Sequence, residues 1–296
     1  MKHEHVVVFD AAFLQKLERL ELLARKLLRG RHRGERSIHR LGRGLEFTDF
    51  RRYLPGDDLR YIDWNIFSRL DRLFLKLFAT EENLTLHLLL DVSASMRWGE
   101  PRKFDYARRL VAALAYIGLH NLNRVGITTF ADGLDRHLPP GKSKRHMGTL
   151  LPFLEELRCQ SKTSFVKSLS DFSARSRNPG IVIVVADLLG NDKIETGLDA
   201  LRRRAHDVVV IQLLSEDEID PPLDGALKLI DAETNDALRI TLDPALRNAY
   251  HQRLDARLSQ LERYCLKGGI EYLRASTVVP FEDLVLKYLR QGTAWR

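Results

Sequence analysis

Two apolar runs restrict the fold more than any other feature of this chain. Residues 84–90 and 181–186 are each of strand length, each is apolar almost throughout, and each stops at an aspartate, Asp91 or Asp187. A strand that is apolar at every position, not at alternate ones, is buried on both faces, as in a parallel sheet covered by helices above and below. The intervening sequence supplies those helices. Residues 104–122 are apolar on most sides, which marks a largely buried helix. Residues 144–157, 164–176 and 194–204 also read as helices, and 124–130 and 208–214 as further strands. The alternation predicts an α/β fold with a doubly wound, mostly parallel sheet.

The flanking regions read differently. Residues 10–29 predict an amphipathic helix, with Phe13, Leu17, Leu20, Leu23 and Leu27 at helical spacing and Gly30 as a stop. An arginine-rich stretch, residues 29–43, follows as a loop or short irregular segment. Residues 44–80 mix aromatics with charges, which suits irregular structure packed on a core, with a strand at 73–78. Towards the other end, residues 226–242 suggest a hairpin around Asn235-Asp236, and Asp243-Pro244 a helix cap and first-turn proline. That helix runs to residue 266, then a strand at 270–273 and a helix at 281–289. The expected division is an N-terminal helical and irregular elaboration over 1–80, packed on the core, and an α/β domain over 81–296.

Charge and composition exclude several classes. The chain of 296 residues carries a net charge of +7. Residues 1–80 hold 17 Lys and Arg against 11 Asp and Glu, so the surplus belongs to the N-terminal part. The arginines of 29–43 have no interleaved aromatics of the sort that stack single-stranded bases. They read as a solvated basic face or a contact for an acidic protein, and nucleic acid is not the expected partner. No run approaches the roughly 18 apolar residues of a membrane span, and the first residues lack a secretory pattern. The expectation is a cytoplasmic chain. Cys159 and Cys265 stand apart with no CxxC pair, which implies core residues and no disulfide or thiolate metal site.

The chemistry concentrates at the strand ends. Asp91-Val92-Ser93-Ala94-Ser95-Met96 follows the first apolar run directly. In doubly wound sheets ligands bind where loops converge at the carboxyl ends of strands. Asp187 ends a second such strand, and Thr163 begins a predicted helix between them. Two carboxylates and three hydroxyls are hard oxygen donors, suited to Mg2+ or Mn2+ over zinc. Two carboxylates neutralise a divalent ion, and the hydroxyls add ligands without charge. The plain alternative is a strand-to-helix turn in which the serines cap a helix. No general base stands beside the set, which favours capture of a ligand over hydrolysis.

Other motifs fail. Gly141-Lys142-Ser143 ends like a phosphate loop, but Arg136 stands where the earlier glycine belongs. Ser164-Phe165-Val166-Lys167 has a Ser-x-x-Lys spacing that also arises by chance. His3-Glu4-His5 reads as a terminus, and none of the ten histidines forms a catalytic pair.

Asp91-Val92-Ser93-Ala94-Ser95 resembles the DxSxS of the metal-ion-dependent adhesion site in von Willebrand factor A domains. The resemblance implies that Asp91, Ser93 and Ser95 hold the ion, that Thr163 tunes the open state, and that Asp187 acts directly or through water. Ser161 and Ser164 are neighbours that could stand in for Thr163. A second resemblance rests on Gly42-Arg43-Gly44-Leu45-Glu46-Phe47 and on Arg52-Tyr53-Leu54-Pro55-Gly56-Asp57-Asp58-Leu59-Arg60-Tyr61-Ile62-Asp63-Trp64, continued by Arg69, Lys76 and Glu81-Glu82. These look like the signature of the bacterial family catalogued as domain of unknown function 58. Members are commonly encoded beside MoxR-type AAA+ ATPases, which implies a chaperone-like partnership. Pro55-Gly56-Asp57-Asp58 is turn chemistry. Asp58, Arg60 and Asp63 are spaced for a charge network beside Trp64 that pins the segment in place. The expected function is a non-enzymatic adaptor whose metal-bearing face grips an Asp or Glu on a client protein or on a MoxR-type AAA+ ATPase. A metal-dependent phosphoesterase and a metal-free structural module are the rival readings.

Overall fold

In the computed structural model the described residues are 8–32, 46–79, 84–121, 124–159, 162–176, 178–190, 193–222, 225–231 and 236–291. Most of the arginine-rich stretch, the start of the second signature at Gly42, Glu81-Glu82, His3-Glu4-His5 and the turn residue Asn235 lie outside them. The elements in chain order are α1 (Ala11–His32), β1 (Glu46–Arg52), α2 (Trp64–Leu70), β2 (Phe74–Ala79), β3 (Thr85–Asp91), α3 (Lys103–His120), β4 (Arg124–Ala131) and β5 (Gly133–Gly141). They continue with α4 (Met147–Glu156), α5 (Phe165–Arg175), β6 (Ile181–Ala186), α6 (Ile194–Arg202), β7 (Asp207–Leu214) and α7 (Glu216–Ile219). The last are β8 (Gly225–Ile230), β9 (Ala237–Leu242), α8 (Pro244–Gly268), β10 (Glu271–Ser276) and α9 (Phe281–Gln291). Two units result: residues 1–29 with 84–296, and residues 30–83.

The larger unit is built on a six-stranded sheet of order β10-β7-β6-β3-β4-β5. Every neighbouring pair is parallel except β4 with β5. The doubly wound, mostly parallel α/β fold expected from the sequence is the fold of this unit. The apolar strands divide their residues between two cores by the two-residue period of a strand. Leu86, Leu88 and Leu90 of β3 face α3 and α9, together with Ile181, Ile183 and Val185 of β6. Leu89, Val182 and Val184 face the other way, onto Leu169 of α5, Leu198 of α6 and Leu261 of α8. This two-sided cover is why the runs read as continuous.

The N-terminal helix, grouped by sequence with residues up to 80, lays its apolar stripe into the core of the larger unit. Phe13, Leu17 and Leu20 are buried there. The Phe13 ring lies 5.4 Å from that of Phe281 on α9 and 5.1 Å from that of Phe9. Lys16 pairs with Glu282 at 2.8 Å over the same junction.

The edge strand β5 was not expected. It carries Pro139-Pro140, which an edge strand accommodates because one of its sides is free of ladder bonds. The hairpin β8–β9 and the Asp243 cap of α8 stand where the sequence put them; the Asp243 carboxylate accepts from the Leu246 N–H at 2.7 Å.

In the smaller unit, the segment expected to be irregular contains the antiparallel pair β1–β2 and the short helix α2 between them. The expected network of Asp58, Arg60 and Asp63 beside Trp64 does not form. Asp58 pairs with Arg60 at the surface, at 2.6 Å. Asp63 instead caps α2, accepting from the N–H groups of Asn65 and Ile66, and takes Lys76 at 3.2 Å. Trp64 is 62% exposed. An N-cap aspartate satisfies orphan helix donors, and that local demand outweighs a longer-range link to Arg60.

The α1–α9 junction gives a direct test. Phe13→Ala should lower stability to urea by about 3 kcal/mol, the lower range for a fully buried phenylalanine. Lys16→Ala, which removes an ion pair with one solvent-exposed partner, should change it by less than about 0.5 kcal/mol. Equal losses would mean that the helix is held by charge and not by its rings.

Candidate functional site

A parallel strand delivers its last side chain to the carboxyl edge of the sheet, and β3 delivers Asp91. The strand is paired on both sides, by β4 and β6, so its end lies in the middle of that edge. The Val92 N–H donates to the Phe130 carbonyl at 2.9 Å and extends the pairing one residue further. The chain then turns. The Ser93 N–H donates to Asp91 Oδ1 at 2.8 Å, and the hydroxyls of Ser93 and Ser95 are 3.0 Å apart. A 3-10 turn over Ala94–Arg97 follows. Its serines make no side-chain cap at Ser93, so the plain reading of the motif as a helix cap does not apply there.

Asp187 follows directly on β6, the strand beside β3. Its carbonyl accepts from the Gln212 amide at 2.6 Å, and Gln212 accepts in turn from the Tyr272 hydroxyl at 2.5 Å. Leu188 then takes a left-handed φ of 56°, turning the chain immediately after the aspartate. Thr163 reaches the same edge by another route: the N–H of its neighbour Ser164 donates to the Ala131 carbonyl, at the carboxyl end of β4, at 2.8 Å. Asp91, Ser93 and Ser95 are thus joined by hydrogen bonds. Asp187 stands near enough to Asp91 for their charges to interact. Thr163 is placed at the end of the adjacent strand.

The electrostatics are those of buried like charges. Asp91 and Ser93 are fully buried and Asp187 nearly so. Burial, and then the neighbouring charge of Asp187, pushes the Asp91 carboxyl well above the usual carboxylate range, against the pull of Ser93 and Lys103. Its second oxygen, Oδ2, is buried with no hydrogen-bond partner. An acceptor in that condition costs about 1–3 kcal/mol, more when charged.

Two residues that the sequence reading missed complete the site. Lys103, the first residue of α3, is fully buried. Its ammonium donates to Asp187 Oδ2 at 2.8 Å and to Glu218 Oε1 at 2.5 Å. Burial alone would lower the Lys103 pKa, but the charges of Asp187 and Glu218 raise it above the usual value. Glu218 is fixed by the capping box of α7, its Oε2 accepting from the N–H and hydroxyl of Ser215. Gly99, at a φ of 94°, lets the loop after the serines reach this cap: a Cβ there would lie 2.5 Å from Ser215 Cβ. The signals were present in sequence, as a lone lysine opening an apolar helix and a Ser-x-x-Glu box after β7. Neither says which carboxylate the lysine meets.

The donor set tests favourably for a hard divalent cation. Among the described residues no three His, Cys, Asp or Glu side chains cluster as a metal site. The set offers two carboxylates, the remainder being hydroxyls. Glu218 offsets Lys103, which leaves Asp91 and Asp187 as two negative charges, with one buried oxygen unpartnered. That balance matches a divalent ion such as Mg2+ or Mn2+. Cys159 is less acidic than a free thiol, its pKa pushed by burial to about 12, and both cysteines are free.

A family model described as "Protein of unknown function DUF58" matches residues 49–259. Uncharacterized proteins of Mycobacterium tuberculosis and Mycobacterium bovis are 25% identical over 273 residues, covering 90% of this chain and 86% of theirs. Among solved structures, a conserved hypothetical protein BatB from Bacteroides thetaiotaomicron is 16% identical, with a TM-score of 0.45, over 69% of this chain and 96% of that one. An aerotolerance-related membrane protein from Bacteroides fragilis gives 17% and 0.46, over 70% and 97%. Proximal thread matrix protein 1 of the mussel byssus, in a form whose adhesion-site motif is occupied by zinc, gives 15% and 0.37, over 44% and 38%. Among the described residues of this chain no helix is long and apolar enough to cross a membrane.

Two measurements check the electrostatics. A carboxyl with a raised folded-state pKa binds its proton more tightly in the folded chain, so it costs stability as pH rises from the unfolded pKa towards the folded one. In chelator, Asp91→Asn should therefore be more stable than the parent at pH 8 by at least ~1 kcal/mol, the worth of one pKa unit, and the gap should narrow at pH 4. A gap that does not change with pH would show that Asp91 does not carry this strain. Lys103→Met should cost about 3–5 kcal/mol, because two carboxylates lose their buried counter-charge. Adding Glu218→Gln should recover part of that loss.

Proposed function

We propose, for a chain that belongs to the family described as protein of unknown function DUF58, that the carboxyl edge of its sheet is a metal-dependent protein-interaction site. Asp91, Ser93, Ser95, Thr163 and Asp187 would hold Mg2+ or Mn2+. When bound, the ion supplies a positive centre for an incoming carboxylate. The observation that carries the reading is the unpartnered, buried Oδ2 of Asp91 beside a second buried carboxylate. Such an arrangement is unfavourable alone and becomes favourable with a cation.

The residues of this chain divide the work. Asp91 and Asp187 provide the charge. Ser93 and Ser95 offer neutral oxygens already held together. Lys103 keeps Asp187 oriented, and because Glu218 shares its ammonium the lysine does not cancel the charge that the ion needs. The partner would be a protein presenting Asp or Glu, either a client or a MoxR-type AAA+ ATPase. In this reading the chain acts without catalysis, in the cytoplasm, where such an ATPase finds its nucleotide.

Titration calorimetry with Mg2+ and Mn2+ tests the site. The parent chain should bind, and Asp91→Ala and Asp187→Ala should bind at least about tenfold more weakly, the effect of losing a charged ligand. Capture of a MoxR-type ATPase from the same organism should need the divalent ion and fail with Asp91→Ala. Full capture both in chelator and by that variant would remove the metal from the function.

A further inference from the structure

A second feature lies on the same sheet, away from the Asp91 site. On the α5 side, the edge formed by β3, β4 and β5 is only partly covered, and a groove of about 410 Å³ remains. That volume is within the range of small-molecule sites. Its residues on β3 are Thr85 and His87, at the amino end of the strand whose carboxyl end carries Asp91. Asp91 lies four positions along the extended strand from His87, about 13 Å at the usual rise.

The groove has an apolar part and a charged part. Phe172 and Leu134 line it, and the Phe172 ring meets that of His87 edge-on at 5.3 Å. Arg124 and Arg175 line it too, and neither pairs with a carboxylate among the described residues. The Arg124 guanidinium donates to the Pro140 carbonyl, at 3.1 Å. Arg136 also borders the groove, but its guanidinium is engaged by Glu156 at 3.0 Å and stacks on Phe153. Asp135 contributes one negative charge and accepts from the Thr129 hydroxyl at 3.1 Å.

The histidines add polarity without charge. Burial, then the charges of His206 and His137, holds the His87 pKa down at about 4, and burial and Arg175 lower that of His137. His137 Nδ1 is 2.9 Å from the Thr128 hydroxyl. The His87 Nε2 is buried with no hydrogen-bond partner. Arg124 and Arg175, neither paired with a carboxylate among the described residues, less Asp135 leave a surplus of one positive charge beside the apolar side of the groove.

From this we infer that the groove is a binding site for a small planar monocarboxylate. Its carboxylate is taken by Arg124 and Arg175, and its flat body lies on Phe172 and Leu134. The single surplus charge matches a monoanion, and guanidinium is suited to a carboxylate's two oxygens. The apolar wall distinguishes this site from one for inorganic anions. The inference does not depend on the metal site, since no residue is shared between them.

Benzoate is the probe, titrated into the full chain while the ring signals of His87 and His137 are followed by NMR. Both signals should shift and saturate together. Acetate, which lacks the flat body, should bind at least about tenfold more weakly, as expected for an aromatic ring left without its apolar contact. Arg175→Gln, at an exposed position that does not endanger folding, should weaken benzoate about tenfold. Asp91→Ala should leave it unchanged. Absence of shifts at either histidine, tighter binding of phosphate than of benzoate, or full affinity in Arg175→Gln would each overturn the assignment.

Discussion

The burial of β3 on both faces governs what the rest of the chain can do. Leu86, Leu88 and Leu90 are covered on one side and Leu89 on the other, and β4 and β6 occupy both hydrogen-bonding edges. No polar group leaves such a strand except at its ends. One end gives Asp91, a carboxylate fully withdrawn from water; the other gives Thr85 and His87 at the floor of the basic groove. Both candidate sites are consequences of where a closed strand stops being closed.

A carboxylate in that position needs a counter-charge, and the fold supplies one in an indirect way. Lys103 opens α3, the most deeply buried helix, and points its ammonium at Asp187 and Glu218 rather than into solvent. Charged hydrogen bonds on both sides make the buried ammonium tolerable. Glu218 comes from the cap of α7 and Gly99 makes room for that cap, so four separate segments set the charge at the strand ends. The pair Asp91 and Asp187 is left short of positive charge, and that imbalance is the physical content of the proposed metal site.

Particular residues show which parts were legible early. The continuous runs before Asp91 and Asp187, the buried helix after residue 103 and the Asp243-Pro244 helix start were readable because each reflects a local rule: two-sided burial, helical periodicity, capping. β5 was not, because Pro139 and Pro140 break the local rule and only the edge position excuses them. β1 and α2 were hidden for a related reason. Their aromatics follow neither period cleanly, and Trp64, Phe67 and Leu70 are exposed in α2. Asp63 was read as part of a network with Arg60, when its work is to cap the next helix.

Local pattern along the chain was enough for the α/β class, the two strand-ending aspartates and the serines after the first, since backbone sterics and burial periodicity act over a few residues. Long-range packing alone brings Lys103 to face Asp187 and Glu218, separated from it by 84 and 115 residues, and sets Arg124, His87 and Arg175 around one groove. A side chain's charge is written in the sequence, but its electrostatic partner depends on which strands lie side by side, and strand order is set by long-range packing that no local pattern encodes.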